Sequence, residues 1–432
     1  TCLSHDVIAH EVTHALLDGM HRRFNEASNP DVLAFHEAFS DIVALFLHFS
    51  VPDVLLHQIA KTHGDLASQN GLGELAQQFG QALGGRGALR SAIGQVDENN
   101  AWRPIDPDPS AMGWQLEPHL RGAILVAATF DAFLTIYKAR IADLLRIATE
   151  GTGILPAGSL HPDLVKRMAD EAASAAKGVL DMCIRALDYC PPVDLTFGDY
   201  LRAILTADFE LDPVDAQNRR VAFAEAFRRH GIVPEDVRTL SVDGLLWRPT
   251  SAAPDEDEDV ALDLVVNWAN DTAAWGLTQS RRDLYEKMQL KRAILHHYLK
   301  SKFDKGVTLS GIDTALKFEV HTIRPSMRSD WEGRPQFQWI VELTQRIPQY
   351  VDGDSTNPSG GEPDYYFRGG CTLVIDASTG KLRYAIRKRL DKNRQQKQRE
   401  YLTGVGNETL AATYFGGVGG DVHEPFAMLH RL

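Results

Sequence analysis

The sequence predicts an α+β protein in which a mostly helical core is followed by a smaller α+β domain. Residues 1–247 contain long segments of helical periodicity, separated by stretches with proline and glycine. Residues 248–259 combine prolines, small residues and an acidic run, a composition typical of a linker. After residue 316, runs of alternating or β-rich character indicate strands. Because 432 residues exceed one ordinary core, we predict two domains, at 1–247 and 260–432.

Two start signals mark the first helices. Ser4 is a candidate cap for a helix from His5 to Gly19, where glycine provides the usual C-terminal stop. The Asn-Pro-Asp segment Asn29–Asp31 predicts a second helix that runs to about Ser50. Further helical patterns in the core cover Leu72–Leu83, His119–Thr149, Pro162–Tyr189 and Val214–His230.

The predicted C-terminal domain combines a long helix with a small sheet. The helix is expected at Asp271–Phe303. A hairpin turn is expected at Ala377–Gly380, between the last two strands. The stretch Lys381–Arg399 is strongly basic, which indicates either a docking surface for an anionic partner or a solvated strand and helix. The predicted strands are Leu316–Ile323, Gln336–Thr344, Tyr366–Ile375 and Lys381–Arg387.

Composition limits the classes of partner. A net charge of −13 argues against a nucleic-acid binder that works by general charge attraction. No run of about 18 apolar residues is present, so we predict no membrane span. The 4 cysteines form no close pair, which argues against a disulfide scaffold. With no signal-peptide pattern visible, these features favour the cytoplasm slightly, and the compartment stays open.

The first chemical motif is the run His10-Glu11-Val12-Thr13-His14. Residues four apart lie on one face of a helix, so both imidazoles can meet one metal ion. Glu11 lies about 100° around the helix from His10 and can reach a water at the metal as a general base. The helix is predicted to be buried because its other residues are apolar: Val7, Ile8, Ala9, Val12, Ala15 and Leu16.

The second helix offers the remaining groups of a metal site. Glu37 and Asp41 are also four residues apart and share a face. Antiparallel packing of the two helices would bring Glu37 to the metal as the third protein ligand, the number that catalytic zinc requires. Asp41 is then placed to accept a hydrogen bond from a ligand imidazole and fix its tautomer. We expect His36 to pack or to support the site rather than to bind the metal.

These two motifs resemble those of the thermolysin-like gluzincins, in which a helical H-E-x-x-H is followed by an E-x-x-x-D helix. The resemblance covers roughly residues 1–232 and implies a zincin-like catalytic core that holds one Zn²⁺ per chain and hydrolyses peptide or protein substrates. It implies His10, His14 and Glu37 as ligands and Glu11 as the base. The segment Leu116–Phe130 resembles the later active-site helix of the family, which implies that His119 hydrogen-bonds the oxyanion.

The sequence also departs from the family. Gluzincins carry a β-rich lobe before the zinc helix, and its edge strand binds the substrate backbone. Nine residues stand before His10, too few to build that lobe, so we expect either that the lobe is missing or that a longer native chain supplies it. The alternative function is therefore a non-catalytic protein that keeps the zinc site for structure and uses its surface for binding or regulation. The retained Glu11 favours the enzyme, because a structural zinc site needs no base.

Overall fold

The computed structural model describes residues 5–66, 94–96, 102–104, 106–155, 158–250, 280–304, 309, 311–329, 332–350 and 363–404. The predicted helix Leu72–Leu83, the linker residues 251–259 and the predicted first part of the long helix, 271–279, lie outside this description. Within it, helices and a four-stranded antiparallel sheet confirm the α+β class.

The helical part confirms the first two predicted helices within a few residues. Its helices are α1 (His5–Met20), α2 (Pro30–His48), α3 (Pro52–Thr62), α4 (Ala111–Trp114), α5 (Pro118–Ala148), α6 (Pro162–Ala186), α7 (Phe197–Leu211), α8 (Arg219–Arg229) and α9 (Val242–Leu245). A 3-10 turn, Leu187–Tyr189, extends α6, and a short hairpin pairs β1 (Gly94–Val96) with β2 (Trp102–Pro104).

Helix α2 is the centre of the helical part. The Asn29 side chain accepts a hydrogen bond from the backbone N–H of Asp31, at 2.7 Å, and Pro30 occupies the first turn, as the start signal predicts. Helix α2 packs between α1 and α5, and nearly all of its side chains are buried. A helix buried on all sides holds its polar side chains, Glu37 and Asp41 among them, away from solvent.

Helix α8 begins later than the predicted helix Val214–His230. The backbone of Asp215 has a positive φ of 48°, which a continuing helix cannot accommodate. The Asp215 carboxylate instead accepts hydrogen bonds from the backbone N–H groups of Arg219 and Arg220, at 2.8 and 3.0 Å. This capping by side-chain oxygen sets the start of the helix at Arg219.

The C-terminal part contains one long helix, a meander of four strands and a final helix. These are α10 (Arg281–Phe303), β3 (Phe318–Ser329), β4 (Pro335–Gln349), β5 (Tyr365–Asp376), β6 (Leu382–Lys388) and α11 (Lys392–Thr403). The strand order is β3-β4-β5-β6, and all neighbours are antiparallel. The predicted turn at Ala377–Gly380 is confirmed, since the Gly380 N–H donates to the Asp376 carbonyl at 2.9 Å.

Both faces of the sheet are covered. On one face, Leu295 and Leu299 of α10 join a cluster with Val341 and Leu373. On the other face, side chains of β4, β5 and β6 are part of the same hydrophobic core as the helical part: Ile340, Val374, Tyr384 and Ile386. The sheet is therefore packed directly against the helices that precede it. The predicted domain boundaries at 247 and 260 stay predictions.

One helix among the described residues, α5, is long and apolar enough to cross a membrane by length and composition. Within its most apolar window, 72% is buried inside the protein, as in the core helix of many folds. The consecutive helices α2 and α3 pass the same test together but meet at an angle of 83°. These features are weak indicators of a membrane span.

Candidate metal centre

Packing of α1 against α2 brings together the three residues that the sequence predicts as metal ligands. Nitrogen atoms of His10 and His14 and a carboxylate oxygen of Glu37 all lie within 4.8 Å of one another, and all three residues are buried. The two Nε2 atoms are 2.9 Å apart. They lie 3.6 and 3.5 Å from Glu37 Oε2. This cluster could hold a metal ion.

The dimensions and chemistry of the cluster fit zinc. Ligand atoms at about 2.0–2.2 Å in a tetrahedron lie roughly 3.3 Å from one another, close to the separations seen here. Glu37 is 1% exposed, and the nearest polar atoms to its Oε2 include the Nε2 atoms of His10, His14 and His119, at 3.5–3.6 Å, longer than a good hydrogen bond. A buried carboxylate whose contacts are this long is incompletely compensated, and a cation between the imidazoles would bind it more closely.

The protonation state of Glu37 suits a metal ligand. Burial raises its pKa, but contact with His14 and the charges of His14, His119 and His10 lower the pKa to about 2. The carboxylate is therefore ionised at neutral pH, as metal binding requires.

Asp41 orients the first imidazole. The Nδ1 atom of His10 lies 2.8 Å from Asp41 Oδ1, and both side chains are almost fully buried. Donation from Nδ1–H to this carboxylate leaves the Nε2 lone pair directed towards Glu37 and His14. Although burial lowers the pKa of His10, the hydrogen bond and charge of Asp41 raise it above its usual value. The contact predicted for Asp41 is present, and its partner is His10.

His36 makes the equivalent contact with the second imidazole. The Nδ1 atoms of His14 and His36 are 2.7 Å apart, and the two rings are nearly parallel, at 11°. Complete burial lowers the pKa of His36 well below its usual value, so this ring is neutral and has a nitrogen that can accept a proton donor. Accepting from His14 Nδ1–H would leave His14 Nε2 for the metal, which agrees with the supporting role expected for His36.

His119 reaches the cluster from α5. Its Nε2 atom lies 3.5 Å from Glu37 Oε2, and its side chain is 38% exposed. The close approach depends on Gly122, where an added Cβ would lie only 2.8 Å from the Ala34 carbonyl oxygen of α2. Glu117 accepts a hydrogen bond from His119 Nδ1 at 2.9 Å, and this bond raises the pKa of His119. The structure thus places His119 beside the predicted ligands, with an acidic partner.

The predicted burial of α1 is wrong for much of its surface. Ile8, Val12 and Leu16 are exposed, Val12 by 50% and Leu16 by 61%. Helix α1 packs on α2 through one face only, and the ligand histidines occupy that face. Glu11, which follows His10 in the chain, is also exposed, and its charge is felt at His10. An exposed carboxylate beside buried ligands is accessible to water and to a substrate.

Removing the Asp41 carboxylate should weaken metal binding. In the variant Asp41→Ala, we expect the zinc dissociation constant to rise by roughly 10- to 100-fold, because His10 loses the group that fixes its tautomer and ring orientation. Competition with a chromophoric chelator measures this constant. Asp181→Ala, which removes a partner of Lys177 on α6, is the matched control and should bind zinc as the wild type does. Equal affinities for the wild type and Asp41→Ala would contradict the role of Asp41.

The basic stretch Lys381–Arg399 lies against the helical part. Its cations form ion pairs with acidic residues there: Arg383 with Glu210, Lys388 with Asp199, Arg394 with Asp194 and Lys397 with Glu235. These contacts satisfy several of the charges that predicted an anionic partner. Docking of another molecule at this stretch stays a prediction.

The chain was compared with known proteins. Its sequence matches no protein-family model, and no curated protein and no solved structure is significantly similar to it. Any conclusion about function must therefore rest on the geometry of the residues themselves.

Proposed function

We propose that this protein is a zinc-dependent metallopeptidase of the gluzincin type. The observation that carries the proposal is the buried cluster of His10, His14 and Glu37 with Glu11 exposed beside it. Two imidazoles and one carboxylate are the ligand set of several catalytic zinc sites in peptidases.

The ligand count favours a catalytic over a structural metal. Structural zinc sites are closed by four protein ligands, whereas catalytic sites keep one position open for water or substrate. Within the described ranges, the residues of this region whose ligand atoms all lie within 4.8 Å of one another are His10, His14 and Glu37; His119 approaches Glu37 but does not belong to this group. His119 is partly exposed and contacts Glu37, and Glu11 is exposed and follows His10 in the chain. Both could act on a water or a substrate bound at an open position of the metal.

The residues of the chain can divide the steps of peptide hydrolysis among them. Zinc bound here would supply Lewis-acid chemistry, polarising a carbonyl and lowering the pKa of a coordinated water towards about 7. Glu11 would take the proton from the attacking water and deliver it to the leaving amine. His119 would donate from Nε2 to the oxygen on which negative charge develops. Its Glu117 partner favours the protonated imidazole that can do so.

Metal removal provides the direct test of this proposal. Protein equilibrated with zinc should contain one ion per chain and cleave a broad library of unstructured peptides. Incubation with a chelator followed by gel filtration should abolish cleavage, and zinc added back should restore it, because the ion supplies the Lewis acid. Metal analysis and mass spectrometry of the products are the measurements. Cleavage that persists in metal-free protein would contradict the proposal. Tight zinc binding without hydrolysis of any peptide would favour the non-catalytic alternative.

A further inference from the structure

Residues 21–29, the α1–α2 turn, join the helix that carries the two imidazoles to the helix that carries Glu37. Helix α1 has little apolar packing of its own: among its side chains with described burial, the buried ones are His10, Thr13, His14 and Leu17. Because three of these four are polar, hydrophobic burial contributes little to holding α1 in place. The turn must therefore contribute to positioning the ligands.

The middle of the α1–α2 turn is fixed to the sheet by an ion pair. Arg368 on β5 donates from Nε to Glu26 Oε2 at 2.6 Å, and both side chains are largely shielded from solvent. Arg23, in the same turn, pairs with the other Glu26 oxygen. A carboxylate bound by two guanidinium groups restricts the backbone that carries it.

Both ends of the α1–α2 turn are also linked to the C-terminal part, the first directly and the second through Asp194 of the helical part. At its start, His21 Nδ1 lies 3.0 Å from Glu342 Oε1 of β4, and both side chains are 1% exposed. At its end, the Asn29 side chain donates to Asp194 Oδ1 at 2.7 Å. Asp194 in turn pairs through Oδ2 with Arg394 of α11, at 2.7 Å. The sheet and α11 thus hold the turn at three points.

We propose that the C-terminal sheet positions the α1–α2 turn and thereby sets the affinity of the metal centre. This role rests on the proposed zinc site. Arg368 and Glu342 are then positioning residues, which act on the metal ligands through the α1–α2 turn. Other ion pairs join the sheet to the helical part without contacting the turn, such as Arg383 with Glu210 of α7, also at 2.6 Å. Removing one of these other ion pairs weakens the contact between the sheet and the helical part without changing the contacts of the α1–α2 turn.

The test compares Arg368→Met with the matched control Arg383→Met. Each variant removes one guanidinium of the sheet from a 2.6 Å ion pair with the helical part. We expect Arg368→Met to raise the dissociation constants of Zn²⁺ and Co²⁺ by about tenfold or more, since displaced supporting groups commonly cost this much affinity. The visible absorption of bound Co²⁺, which reports coordination geometry, should change in Arg368→Met only. Arg368→Lys should restore part of the affinity.

Hydrogen exchange of the metal-free protein gives a readout that needs no ion. Amides of residues 21–29 and α1 should exchange faster in Arg368→Met than in Arg383→Met or the wild type. Equal exchange in this region, or equal losses of metal affinity in the two variants, would overturn the proposal. If the wild type binds no metal, the proposed zinc centre fails, and the exchange comparison still decides whether the sheet holds the turn.

Discussion

Replacement of Glu11 by glutamine should lower kcat for peptide hydrolysis by about 10²- to 10⁴-fold while zinc content stays at one ion per chain. Glutamine keeps the size of the side chain but cannot take a proton from water. Glu11 is exposed and lies outside the cluster of His10, His14 and Glu37, so its loss removes no ligand. The combination of lost turnover and retained metal is what distinguishes a base from a ligand.

The measurements are kcat and KM on one peptide identified in the screen, together with metal content of the same preparation. Glu225→Gln on α8 is the matched control, because Glu225 is an exposed glutamate whose partner is Arg228. Its kcat should equal that of the wild type. A Glu11→Gln enzyme with nearly full kcat would remove Glu11 from the mechanism, and one that lost its zinc would make Glu11 part of the metal site.

The candidate ligands could be placed from the sequence because helical geometry is local. The four-residue spacing of His10 and His14, and of Glu37 and Asp41, fixes a shared face whatever the rest of the chain does. The start signal at Asn29 then indicated that a second helix would follow after a short turn.

Other features depended on distant contacts that no local pattern encodes. The apolar residues of α1 predicted burial, yet Val12 and Leu16 face away from α2. Strands β4 and β5 are longer than predicted, because they are largely buried on both faces and period-2 alternation fades in such strands. The ion pair of Glu26 with Arg368 joins residues 342 positions apart. In the sequence, neither Glu26 nor Arg368 differs from an ordinary charged surface residue.

Replacement of Glu37 by glutamine should remove the metal. Loss of one of three protein ligands is expected to raise the zinc dissociation constant by roughly 10³-fold, because each ligand contributes part of the binding free energy of such a site. Zinc should then raise the melting temperature of the wild type but not of the variant, since only a bound ion stabilises the folded state. Calorimetry with and without zinc measures this. His119→Ala is the control: His119 contacts Glu37 but lies outside the ligand cluster, so this variant should keep its zinc.

The metal-free protein gives a second, pH-dependent signature of the same substitution. The pKa of Glu37 is lowered to about 2 in the folded chain, against 4.5 for an ordinary glutamate. A lowered folded-state pKa stabilises the protein above the unfolded value and loses that contribution as pH falls towards the folded value. Metal-free Glu37→Gln should therefore be less stable than the metal-free wild type at pH 7, and the difference should shrink as pH falls from 4.5 towards 2. Urea unfolding at a series of pH values measures the difference. A gap that is independent of pH would mean that the Glu37 carboxylate is not held ionised by the histidines around it.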